Sequence, residues 1–159
     1  MDLEFFLKER IKFVRYFYEN AASPFERTIK LIEDEIEPYV PSYSEDGEPE
    51  FLTEWLEARD ALVSVGLAAI SMLSSSLQLF LSSWTDRFDR GEVQFKRTHK
   101  KGWLNAYKKI IVQVGLNLSD CPANWELIEQ AVLVRNRSQH PDELTFWSIT
   151  YSKSDLEKY

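Results

Sequence analysis

A long uncharged segment restricts the possible folds of this chain more than any other feature. From Ala61 to Thr85 the sequence contains no Asp, Glu, Lys or Arg. Apolar residues recur in this region at the three- and four-residue intervals that align side chains on one face of an α-helix. The pattern predicts a helix from about Thr53, its cap, to about Trp84, roughly 45 Å in length. We expect this helix to lie at the centre of a bundle and to be buried on nearly all sides.

The same segment is long enough to span a bilayer, because about 20 apolar residues suffice. Its serines and its single glutamine give it more polar side chains than is usual for a segment in lipid. The sequence therefore favours a bundle helix and no membrane contact. The only cysteine, Cys121, excludes an internal disulfide framework and a cysteine-based zinc site. Met1–Glu4 is acidic and lacks the features of an export signal. We therefore predict a cytoplasmic protein.

Two helices are predicted before the uncharged segment. Apolar residues spaced by three and four predict the first over residues 2–20. Ser23 and Pro24 then form a start signal, with serine as the cap and proline in the first helical position. The second helix is predicted to end at Glu37, because the residue before a proline is disfavoured in the helical region.

Two further helices are predicted in the C-terminal half. One covers about residues 103–114 and ends where Gly115 can adopt the left-handed conformation. The other begins at Asp120–Pro122, with proline in its first turn. It is expected to end near residues 138–139, because Pro141 follows closely.

The whole pattern predicts an all-α, single-domain bundle of about five helices that includes residues 1–159. A chain of 159 residues is long enough for one domain with a substantial core. Residues 38–50 contain three prolines and a glycine without periodicity, so they are predicted to form a surface loop. Residues 141–159 are predicted to form a short C-terminal tail.

The charge distribution limits the ways in which the chain could bind nucleic acid. The net charge of -7 repels a phosphate backbone at long range, so any RNA contact must be local. A basic run over residues 96–109 is either a solvated helix face or part of an RNA groove. The candidate RNA-binding residues are Lys96, Arg97, Lys100, Lys101 and Arg137. No metal site or cofactor is predicted, because no ligand spacing or glycine-rich phosphate loop is present.

The last predicted helix carries an arginine in line with its apolar residues. Trp125, Ile128, Val132 and Arg135 are separated by three, four and three positions, which places them on one stripe. A guanidinium there is partly desolvated, and this is costly without an anionic partner. The partner could be Glu129, an acid on a neighbouring helix or a bound phosphate.

Asn136 follows this arginine directly, and His140 lies five positions after it. A fixed cation, an amide and a group that titrates near neutral pH are the elements that phosphodiester cleavage requires. Because Pro141 interrupts the helix, the imidazole is free to turn toward Arg135. The alternatives are an ordinary helix-end histidine and an arginine in a buried ion pair.

The residues Arg135-Asn136-Arg137-Ser138-Gln139-His140 resemble the motif of the HEPN superfamily, a group of small helical bundles. Ribonucleases of that superfamily carry an Arg, usually followed by Asn, Asp or His, and a His near the end of a late helix. The resemblance implies a metal-independent endoribonuclease with a site shared across a homodimer. It also implies proton transfer by His140, phosphate binding by Arg135, a positioning role for Asn136 and a role as a toxin or defence effector. An antitoxin or regulatory protein is a further implied partner.

A second hypothesis is a HEPN-like or unrelated helical module that catalyses nothing and instead dimerises or binds a partner or a nucleotide. The acidic net charge and the long uncharged helix favour it. Cleavage of RNA in the presence of a chelator would distinguish the two hypotheses. The enzyme is the favoured interpretation, and the binding module is the alternative.

Overall fold

The computed structural model of the chain describes residues 2–42, 49–88 and 102–139. These residues form four α-helices and one short 3₁₀-helix, and none of them lies in a β-strand. The helices are α1 (Leu3–Glu33), α2 (Leu52–Phe88), α3 (Trp103–Gln113) and α4 (Trp125–Gln139), with the 3₁₀-helix at Leu118–Asp120. The all-α prediction is confirmed, whereas the predicted number of about five main helices is reduced to four in this part of the chain.

The difference in number arises in α1, where the predicted break at Ser23 and Pro24 is wrong. Pro24 lies inside a continuous helix of 31 residues. A proline in a helix removes one backbone hydrogen bond and costs about 3 kcal/mol, but it does not force a break when both flanks favour helix. Ala21 and Ala22 continue the covered face between Phe17 and Phe25, so the same side of the helix is shielded before and after the proline. The spacing of large apolar residues gives no signal for two alanines.

The end of α1 also lies earlier than predicted, at Glu33 instead of Glu37. Glu35 adopts a left-handed conformation with φ of 51°. The backbone N–H of Ile36 donates to the carbonyl of Leu31 at 2.9 Å, and that of Glu35 donates to the carbonyl of Ile32 at 3.2 Å. These two bonds form a Schellman motif, which ends a helix by satisfying its last carbonyl groups.

The uncharged segment lies in α2, as predicted, and this helix has 37 residues and a length of about 55 Å. Two of its buried hydroxyl groups bond to the helix itself: Ser76 donates to the carbonyl of Met72 at 2.7 Å, and Thr85 donates to the carbonyl of Ser82 at 2.9 Å. Such bonds satisfy a buried hydroxyl without a second helix. They explain why serines and threonine are compatible with the buried positions of this apolar helix.

The expectation that α2 is buried on nearly all sides is wrong for the described chain. Val63, Leu73 and Leu79 are exposed. By length and composition, Leu52–Arg87 would suffice to cross a membrane, with a mean hydropathy of 1.6 over 18 residues, and 17% of that window is buried. Within the described ranges it is the one segment of this kind, which is weak evidence for a span.

The turn after α3 follows the prediction, whereas the start of α4 does not. Gly115 has φ of 86°, and the N–H of Leu116 donates to the carbonyl of Ile111 at 3.2 Å, in a second Schellman motif. Helix α4 begins at Trp125 instead of at Asp120–Pro122. Its cap is Asn124, whose side-chain oxygen accepts from the N–H of Leu127 at 3.0 Å. The predicted start falls in the 3₁₀-helix and the turn after it.

The described residues fall into two compact units, each considered by itself. One contains residues 2–12, 70–88 and 102–139, and its core lies among α2, α3 and α4. The buried residues of this core cluster are Leu81, Trp103, Leu104, Tyr107, Ile110 and Val132. Leu104 is 0% exposed and Val132 is 1% exposed, so α3 and α4 both contribute fully buried side chains.

The other unit contains residues 13–42 and 49–69, and its buried apolar residues are mostly small. They are Val14 and Ala22 on α1, and Ala58 and Ala69 on α2. The indole N–H of Trp55 donates to Glu33 at 3.1 Å. Part of the predicted loop at 38–50 is described here and is not helical, which agrees with the prediction for those residues. The predicted tail, 141–159, lies outside the described residues.

Candidate functional site

The apolar stripe of α4 leads directly to Arg135. Val132 belongs to the buried core cluster, and Trp125 and Ile128 pack against that cluster from one side of the helix. Arg135 is the next residue on the same stripe and is half-buried. The helix therefore places Arg135 in line with apolar residues that pack in or against the core cluster, as the spacing predicted.

The polar contacts of Arg135 are few. Its Nη1 donates a hydrogen bond of 3.0 Å to the side-chain oxygen of Asn136, and the hydroxyl of Ser138 donates to its backbone carbonyl at 2.9 Å. Its Nε is buried and has no hydrogen-bond partner among the described residues. A guanidinium has five N–H donors, and among the described residues Asn136 is the one side chain that accepts from it. The structure thus brings Arg135 and Asn136 into contact.

Glu129, the suggested partner of Arg135, forms a different ion pair. Its carboxylate binds the ammonium group of Lys108 on α3. The same ammonium lies over the ring of Trp125, 5.3 Å from the ring centroid. Lys108 thereby links α3 to α4 and leaves Glu129 committed to a structural contact. Within the described ranges Arg135 forms no salt bridge.

The other residues of the predicted site are divided between described and undescribed parts of the chain. Arg137 is half-buried on α4, and two residues of helix turn it by about 200° from Arg135, so the two arginines leave the helix on different sides. His140 and the basic residues Lys96, Arg97, Lys100 and Lys101 lie outside the described residues. Two lysines of the basic run lie in the described chain. Lys109 is exposed, whereas Lys108 forms the ion pair with Glu129.

The described part of the chain contains no group of three His, Cys, Asp or Glu side chains that could hold a metal ion. In comparisons with known proteins, the chain matches no family model, no curated protein and no solved structure. The likeness to the HEPN motif therefore rests on residues 135–140 and on the all-helical fold. Ribonuclease activity, dimerisation and a regulatory partner remain predictions.

One feature was not found from the sequence: an apolar cavity of about 650 Å³ in the unit that contains α3 and α4. Trp84 of α2, Ile111 of α3 and Trp125 of α4 are among its lining residues. Periodicity predicts that these residues lie on apolar helix faces, in agreement with the structure. It could not show that their side chains leave a space between them, since that depends on the packing of three helices.

Proposed function

We propose that the chain is a metal-independent endoribonuclease of the HEPN type, with a composite site formed by two copies of the chain. The observation that supports the proposal is the half-buried guanidinium of Arg135, with a buried Nε that has no partner in the described chain. We further propose that the protein acts in the cytoplasm, without a membrane, as a toxin or defence effector. An antitoxin or another regulatory protein would then control it.

A phosphate group fits the environment of Arg135 for a physical reason. A partly desolvated cation is costly unless an anion compensates it, and the partner suggested by the sequence, Glu129, binds Lys108 instead. The described neighbour of the guanidinium is the neutral amide of Asn136. A phosphodiester would supply both the negative charge and the oxygen acceptors that a forked guanidinium binds in pairs. Asn136 would hold the guanidinium in the orientation for that contact.

The proposed reaction needs one proton acceptor and one proton donor. His140 would remove the proton from the ribose 2'-hydroxyl, whose oxygen then forms a bond to the adjacent phosphorus. The bond from phosphorus to the 5'-oxygen breaks, and that oxygen receives a proton from the His140 of the second copy. The products are a cyclic 2',3'-phosphate and a free 5'-hydroxyl. Arg135 would stabilise the charge that develops on the phosphate oxygens.

Cleavage of a structured RNA in the presence of EDTA tests this proposal. We expect wild-type protein to cut the RNA, and we expect His140→Ala and Arg135→Ala to lower the rate by about 10²- to 10⁴-fold. Arg27→Ala is the matched control, because Arg27 is exposed on α1 and its loss removes the same charge. Equal rates for wild type and the His140 variant, with all proteins folded by circular dichroism, would refute the assignment.

The second candidate function is a non-catalytic module that dimerises or binds a partner or a nucleotide. The exposed apolar residues of α2, including Leu73 and Leu79, favour this candidate. Light scattering at several protein concentrations would reveal dimerisation. A stable dimer that leaves RNA intact at every concentration, with and without EDTA, would favour the module over the enzyme.

A further inference from the structure

The cavity beside α4 has the size and composition of a small-molecule site. Its volume of about 650 Å³ lies within the range of about 300–1,000 Å³ that is typical of ligand pockets. Such pockets are lined mainly by apolar and aromatic side chains, with a few polar groups that orient the ligand. Here Phe80 and Trp84 of α2 and Trp125 of α4 supply the aromatic surface.

Two contacts hold Trp125, part of the aromatic wall of the cavity, in place. The indole N–H of Trp125 donates to the backbone carbonyl of Leu118 at 3.2 Å. One face of the same ring is covered by the ammonium group of Lys108, which Glu129 in turn holds. A side chain fixed by a hydrogen bond and a cation–π contact loses little conformational entropy when a ligand binds against it.

The polar groups of the cavity lie together on the turn between α3 and α4. Asp120 supplies a carboxylate, and the side-chain amide of Asn117 approaches it at 3.4 Å. No Lys, Arg or His occurs among the described residues that line the cavity. Among these described residues a negative group would meet a carboxylate without a compensating cation, whereas an ammonium or an N–H donor would find an acceptor.

We propose that this cavity binds a neutral or cationic small molecule that contains apolar rings and one hydrogen-bond-donating group. The rings pack against Trp84 and Trp125, and the donor or ammonium group binds the carboxylate of Asp120. Anionic ligands, including phosphates and carboxylic acids, are disfavoured. The proposal does not depend on RNA cleavage, because none of the residues that carry it belongs to the Arg135 site.

The neutral dye N-phenyl-1-naphthylamine tests whether the cavity takes a ring-containing molecule. We expect an increase in dye fluorescence that saturates at one dye per chain. Cys121 lines the cavity and is the only cysteine in the sequence, so its alkylation by iodoacetamide reports on this place alone. Bound dye should slow this alkylation at least about fivefold at saturation, because a ligand there covers the thiol.

Ala123→Trp is the blocking variant, since Ala123 lines the cavity and is exposed, so that a larger side chain fills the space without entering the core. Leu127→Trp is the matched control: Leu127 lies on α4, is 66% exposed and does not line the cavity. Dye binding should be lost in the first variant and retained in the second. Equal binding by both variants, or unprotected Cys121 in the wild type, would overturn the proposal.

The charge preference is tested with two competitors that share a ring. 1-Naphthylmethylamine, which is cationic at neutral pH, should displace the dye at a concentration about tenfold lower than 1-naphthylacetate, which is anionic. Asp120→Asn should abolish this difference while neutral dye still binds. A preference for the anion, or a preference that survives in the Asp120 variant, would contradict the assigned role of the carboxylate.

Discussion

The two halves of α4 differ in what they contact, although one stripe of side chains runs through both. In the first half, Trp125 and Ile128 pack against the buried core cluster and line the cavity. In the second half, Arg135 carries its charge to the same side of the helix and bonds to Asn136. The first half contains residues that pack with the core, whereas the second half carries a half-buried charge, which is costly without an anionic partner. Residues of the second kind are candidates for function.

The largest expected effect concerns the packed region. Leu104 is 0% exposed and belongs to the same cluster as Val132 of α4. Leu104→Ala should lower the free energy of unfolding by about 2–5 kcal/mol, because it removes buried methyl groups and leaves a cavity. Urea denaturation followed by circular dichroism measures this change. Leu127→Ala, at a position of α4 that is 66% exposed, is the control and should change stability by less than about 0.5 kcal/mol.

If Leu104→Ala behaved like the surface control, the core cluster would not determine the stability of this unit. The contrast between the two halves of α4 would then have no basis in packing. A loss of unfolding free energy within the expected range would instead give the effect of a core substitution, with which substitutions of Arg135 can be compared.

Arg135→Met tests the second half of α4. Methionine matches the arginine side chain out to the position of Nε and has no donors, so the change removes a buried Nε without a partner in the described chain. An unsatisfied buried donor costs about 1–3 kcal/mol, so its removal should raise the free energy of unfolding. The loss of the hydrogen bond to Asn136 offsets part of that increase. We expect the free energy of unfolding to stay equal or to rise by about 1 kcal/mol, while RNA cleavage falls. Denaturation and cleavage assays on one preparation measure both quantities.

A clear loss of stability in Arg135→Met would indicate that the guanidinium has a structural ion pair after all. Arg27→Met is the matched control, since Arg27 is exposed on α1 and its replacement should affect neither stability nor cleavage. Loss of activity without loss of stability separates a functional arginine from a structural one.

The sequence predicted the features of this fold that depend on local pattern. The apolar periodicity of α2 and of the α4 stripe, and the left-handed residue Gly115 after α3, all follow from spacing or from one residue type. Pro24 was misinterpreted, because the cost of a proline inside a helix is decided by the contacts of the flanking turns. Those contacts are not local in sequence.

The candidate site was likewise predictable only in the features that depend on local pattern. The position of Arg135 beside the core followed from the stripe, and its neighbour Asn136 followed from adjacency. The partner of Glu129 could not be predicted, because Lys108 lies on another helix. The cavity likewise depends on three helices and a turn, so no single segment of sequence contains a signal for it.

The smallest loss of stability is expected at the start of α4, where the packed half of the helix begins. The side-chain oxygen of Asn124 accepts from the N–H of Leu127 at 3.0 Å, so Asn124→Ala leaves that N–H without its cap. The expected loss is about 1 kcal/mol in the free energy of unfolding. Asn124→Asp retains an acceptor at the same place and should keep wild-type stability, because an aspartate also caps helices well. Urea denaturation of the two variants measures the difference. No loss in either variant would mean that α4 is held at this end by the contacts of Trp125 rather than by its cap, and the boundary of the packed half would then lie at the indole.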